Sequence, residues 1–125
     1  MATMTTLEAL RDELATVTGV ASCKIGLEAN ISPAHYPLIR LVPSRLTPGR
    51  PYSGRTIETL IYFGAKTANS EGLETVYEDL FTLEKGIRDK LRAEGVRYIE
   101  TQTDEDRLDA YKLMVIRCEL EEIPS

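Results

Sequence analysis

The stretch Gly72–Gly95, GLETVYEDLFTLEKGIRDKLRAEG, most constrains what this chain can fold into. Leu73, Val76, Tyr77, Leu80, Phe81, Leu83, Ile87 and Leu91 recur at intervals of three and four. That spacing collects them on one broad side of an α-helix. Glu78, Asp79, Thr82, Lys85, Asp89 and Arg92 fall largely opposite, and Gly95 is placed to take a positive φ and stop the helix. An amphipathic helix needs an apolar surface beneath it. The flanking segments are strand-like, so that surface is expected to be a sheet.

The remaining elements follow in chain order. Leu7, Leu10, Leu14 and Val17 predict a first helix over Thr5–Thr18, with Thr5 and Glu8 as a capping box and Gly19 as its stop. Its stripe is narrow, which suits the edge of a core or a subunit contact. Val20–Glu28 alternates, with Ala21, Cys23, Ile25 and Leu27 on one face, and reads as a half-buried strand. A loop is expected over Ala29–Ala34. Tyr36–Val42 is a second strand, and Pro37 and Pro43 at its ends suggest an edge strand or a strand bounded by breaks.

Ser44–Gly54, SRLTPGRPYSG, is rich in Pro, Gly and Arg and reads as a projecting arm rather than a tight hairpin. Thr56–Lys66 is the most strand-like run. Ile57, Ile61, Phe63 and Ala65 line one face and Leu60 and Tyr62 the other, as in a central strand. After a polar turn and the long helix come strands at Val96–Thr101 and Ala110–Leu120, joined as an antiparallel hairpin through an acidic turn at Thr103–Asp109. The fold class is α+β, two helices on a mainly antiparallel sheet in the order α-β-β-β-α-β-β, within one domain. The tail, Glu121–Ser125, reads as frayed.

The residues offer little chemistry. His35 is the sole histidine and stands in a loop, where a base or ligand is the lesser expectation. There is no HExxH, paired CxxC, nucleophile elbow or phosphate loop. Asp104–Asp106 lacks the oxygen spacing of a calcium loop. Cys23 and Cys118 sit in apolar runs and read as buried thiols; a disulfide between them requires neighbouring strands. The net charge of -5 argues against general nucleic-acid binding. No apolar run is long enough to cross a bilayer, and MATMTTLEAL lacks the pattern of a cleaved signal. Synthesis in a cytoplasm, with no enzyme activity and no cofactor or metal, is the expectation.

Several pieces together resemble a known family. The helix TLEALRDELATVTGV leads into a strand, and YPLIRLVPSR, an Arg-rich loop, TIETLIYFGAK, GLETVYEDLFTLEKGIRDKL and a closing hairpin follow. This order is similar to that of the tail terminators, the tail-completion proteins of long-tailed bacteriophages. The resemblance implies a structural protein of the virion, located at the head-proximal end of the tail. It implies a homohexameric ring that caps the tube and stops its polymerisation, with the tail tube protein and a head–tail connector protein as partners. A ring needs heterologous contacts between copies. A basic arm carrying Arg45, Arg50, Tyr52 and Arg55, facing acidic Asp104, Glu105 and Asp106 of the next copy, could supply them. A net negative ring would also avoid trapping the DNA that must pass through its lumen, since like charge repels. Another virion part (a connector, tube or baseplate component) and a small bacterial ligand-binding domain remain alternatives.

Overall fold

The computed structural model describes residues 2–26, 37–48, 55–66, 73–105 and 111–121. The observed order is α1 (Ala2–Leu14), β1 (Ser22–Ile25), β2 (Leu38–Thr47), β3 (Thr56–Lys66), α2 (Leu73–Ala93), β4 (Arg97–Glu105) and β5 (Tyr111–Glu121). Five strands form one sheet in the order β1-β2-β3-β5-β4. β1 pairs parallel to β2, and the other three pairings are antiparallel. This is the α+β architecture that the run of elements predicts, with β3 in the centre.

Period-two alternation sets the faces. The register aligns Ile39 with Phe63, Leu41 with Ile61, Ile61 with Ile116 and Phe63 with Met114, so these side chains share one face. With Ile57, Cys118 and Leu120 they form the floor of the core. Leu80, Leu83, Ile87 and Leu91 of α2 and Leu7, Leu10 and Leu14 of α1 form its roof, all buried. α1 lies over β1 and β2, and α2 over β3 and β4. The narrow stripe of α1 thus does place it towards one edge of the sheet.

The helix ends show their causes. α2 ends in a Schellman motif, in which Val96 N–H donates to Leu91 C=O at 2.9 Å and Gly95 N–H to Arg92 C=O at 3.2 Å. Gly95 has φ +72°, as the motif requires. α1 starts and stops earlier than its stripe implies. Thr5 lies within the helix rather than at its cap, so the capping-box reading of Thr5 and Glu8 is corrected. After Leu14 the run ATVTG is rich in β-branched residues. The chain there passes into turns, with Val17 N–H to Leu14 C=O at 3.1 Å and Thr16 Oγ1 donating to Glu13 C=O at 2.6 Å. Val17 still reaches the core.

Three strand readings also change. β1 is four residues, shorter than Val20–Glu28. β2 runs past Pro43 to Thr47, pairing as far as Thr47 with Thr56, with an irregularity between Pro43 and Arg45. Ser44–Thr47 is therefore strand rather than part of an arm, and residues 49–54 of the expected arm lie outside the described residues. The extended, β-branched-rich partner β3 outweighs the local Pro signal. β2 is flanked by β1 only over Leu38–Leu41, so the proline-based edge reading holds for its outer half alone. β4 continues to Glu105, which puts Asp104 and Glu105 in a strand rather than in the expected acidic turn. The loop around His35, the turn at 67–71, residues 106–110 and the tail from 122 lie outside the described residues.

Candidate assembly surface

The two helices leave the other face of the sheet to different chemistry. The register places Arg45, Glu58, Glu119 and Arg97 in one row across β2, β3, β5 and β4. Glu58 and Glu119 are directly opposed, a destabilising like-charge pair on its own. Each is met from its outer side by an arginine, Arg45 at 3.3 Å and Arg97 at 3.5 Å. In the next row, Arg117 pairs with Glu100 at 2.9 Å. Farther along this face Leu38, Leu113 and Val115 are buried, together with the fully buried Arg40. The Arg40 Nη1 donates to Ile39 C=O at 2.9 Å and to Ser22 Oγ at 3.0 Å.

One lateral edge of the sheet, β4, and the half of β2 that β1 leaves uncovered are blunted. β4 has irregularities between Tyr98 and Glu100 and between Thr103 and Glu105. The uncovered half of β2 contains Pro43, which has no N–H, and the Ser44 irregularity. Such edges resist strand addition by another chain. What they offer to a neighbour is side chains.

The exposed large apolar side chains sort to these same flanks. Phe81, at 56% exposure, stands on α2, Tyr98 and Ile99 on β4, Leu46 on the outer half of β2 and Met4 on α1. The Tyr77 and Phe81 rings stack at 6.1 Å between centroids, and with Glu74 and Glu78 they line an open depression. The sequence reading put Phe81 on the buried side of α2, and this is corrected. At 100° per residue, Tyr77 and Phe81 lie about 75° and about 115° from the centre of the Leu80/Leu83/Ile87/Leu91 stripe. The flank is fixed by Glu84, which accepts from Thr101 Oγ1 of β4 at 2.8 Å and from Arg88 at 2.7 Å. Rotation about the helix axis, not spacing, carries the Phe81 ring away from the core set, while Tyr77 still packs partly against it.

Of the residues expected to bind a neighbour, Arg45 is on the outer edge of β2, exposed, and paired with Glu58 of its own chain. Arg55 Nη2 donates to Thr3 Oγ1 at 2.7 Å, tying the base of the hairpin to the start of α1. Arg50, Tyr52 and Asp106, and the side chains of Asp104 and Glu105, lie outside the described residues. The backbone of Asp104 and Glu105 lies at the Leu38/Leu113 end of the sheet, and Arg45 and Arg55 lie at the other. The structure does not bring these groups together within one chain.

Both thiols are protonated at neutral pH. Burial pushes the Cys118 thiol up to about 12, with the Glu119 charge adding to it, and burial pushes Cys23 up to about 11 against the opposing field of Arg40 and Arg11. β1 and β5 are separated by β2 and β3, so the condition set for a Cys23–Cys118 disulfide fails, and both thiols are free. Among the described residues no helix is long and apolar enough to cross a membrane.

No protein-family model matches this chain, and no curated protein matches it in sequence.

Proposed function

We propose that this protein is a tail terminator of a long-tailed bacteriophage. In this reading, copies close into a ring on the head-proximal end of the tail tube, end its polymerisation and present the face to which the head attaches. The order of elements supports it, as do the two helices on one side of a five-stranded sheet.

One observation carries the assembly part of the reading. The exposed apolar side chains form two chemically different flanks, Phe81, Tyr98 and Ile99 on one and Met4 and Leu46 on the other. Two unlike sticky flanks are what a heterologous, ring-closing contact uses; an isologous dimer needs only one self-complementary patch. Blunted strand edges leave side-chain packing as the means of joining copies.

The test is to add the protein to tail tubes of the phage that encodes it, and to locate it by electron microscopy. Rings at the head-proximal end, with arrest of tube growth, are the expected result. Density along the whole tube would identify a tube component instead, and no binding with no self-association at high concentration would refute the reading.

A further inference from the structure

We infer that the uncovered half of β2 docks against β4 of a second copy, with Arg45 paired to Glu100 and Leu46 packed on Tyr98. The inference rests on the ring reading above and names its seam.

Each of the two charged groups is half engaged in its own chain. Arg45 is held through Nε, 3.3 Å from Glu58 Oε2, and its side chain is 72% exposed. Among the described residues nothing else bonds it, so its Nη fork is open. Glu100 takes both of its bonds on Oε1, from Arg117 Nη1 at 2.9 Å and from Gln102 Nε2. Among the described residues nothing bonds its Oε2, and the side chain is 40% exposed. A guanidinium and a carboxylate that are already steadied lose little freedom on pairing.

The apolar pair is set in the same way. Leu46 is in register with Ile57, and Tyr98 with Cys118, so both stand on the helix side of the sheet, and both are exposed. Thr101 Oγ1 gives its one proton to Glu84 at 2.8 Å. The Tyr98 O–H therefore donates to Thr101 Oγ1, at 2.6 Å, which fixes the ring at the margin of β4.

Within one chain the two margins are three strand spacings apart, about 14 Å, so the contact is between copies. Copies set side by side with no stagger would put Arg45 against Arg97, which ends the same row on β4. Those like charges repel. A stagger of two residues, about 7 Å, moves Arg45 from the Glu119–Arg97 row to the Arg117–Glu100 row. The same stagger moves Leu46 from the Ile57–Leu120 row to the Thr59–Cys118–Tyr98 row. One displacement satisfies both pairs. The contact is heterologous, and a ring accommodates the stagger by tilting its strands to the ring axis, as a closed barrel does.

The experiment uses the full chain under conditions where the wild type forms rings, alone or on tail tubes. Arg45→Ala and Glu100→Ala should each weaken association about fivefold or more. The double variant should be within about twofold of the weaker single variant, not the product of the two losses. The two residues do not touch within a chain, so that coupling reports a contact between copies and not a folding defect. In parallel, chains carrying Leu46→Cys are mixed with chains carrying Ile99→Cys and treated with a short bis-maleimide. A bridged dimer in the mixture, absent from either chain alone, is expected. Multiplying losses with no bridge, in a wild type that still forms rings, overturn this contact and leave the ring reading standing. Wild-type protein that forms no ring under any condition overturns the ring reading and this contact with it.

Discussion

Gly86→Ala tests how closely α2 approaches the turn that follows α1. Gly86 is inside the 21-residue helix α2, where replacing Gly by Ala normally stabilises by about 1 kcal/mol. Here a Cβ would lie 2.9 Å from Val17 Cγ1. Val17 is β-branched, is 8% exposed and belongs to the core, so it has little room to turn away. Overpacking of this kind costs about 1–3 kcal/mol, which exceeds the helix gain and leaves a net loss of about 1 kcal/mol. For a chain of this size, that is a fall in Tm of about 4 °C. Urea unfolding of a double-mutant cycle isolates the cause. Val17→Ala alone should cost about 2 kcal/mol for its two methyl groups. In that background Gly86→Ala should become stabilising by about 1 kcal/mol, a coupling of about 2 kcal/mol between the sites. A Gly86→Ala protein more stable than wild type by the full helix gain, with no coupling to position 17, would refute the close approach.

Gly95→Ala meets no steric obstacle, yet forces a side chain into φ +72°; a loss of about 1 kcal/mol in urea unfolding is expected. Arg45→Ala should change stability by less than about 1 kcal/mol, because the Arg45 side chain is largely exposed; a loss of assembly in that variant then reports on an interface, not on folding. Arg40→Ala removes a fully buried side chain and its bonds to Ser22 and Ile39, and should cost about 3 kcal/mol. The raised thiols of Cys23 and Cys118 set an alkaline limit. Below the ordinary value of 9.0 both are protonated, folded or not. Above it the unfolded chain loses protons that the folded chain keeps, so stability falls as pH climbs from about 9 towards about 12, and Cys→Ser at these positions should flatten that fall in pH-dependent unfolding.

The fold was legible where a periodic pattern extended over many residues. Leu80, Leu83, Ile87 and Leu91 announced α2, and Ile57, Ile61 and Phe63 announced the central strand, because burial on one face leaves a repeat in the residues themselves. Element ends were less legible. β2 passes Pro43 because β3 supplies a long partner, and no local signal reports a partner that distant in sequence. The same holds for the parallel pairing of β1, which depends on where the chain returns, and for Asp104, whose strand state is set by β5. In the candidate site, the arginines were visible as a composition shift. The aromatic depression was not, because Tyr77 and Phe81 share a three-four spacing with the core residues and differ only by rotation about the helix axis.

The irregular, proline-bearing margins of the sheet bear on how reversible the joints of the proposed ring would be. Where backbones zip together, each added copy leaves a fresh template for the next, and growth has no natural end. Seams made of side-chain contacts, as the proposed ring would use, propagate no template. They loosen with added salt, permit copies to dissociate and rejoin until the count is right, and halt once the last gap is filled.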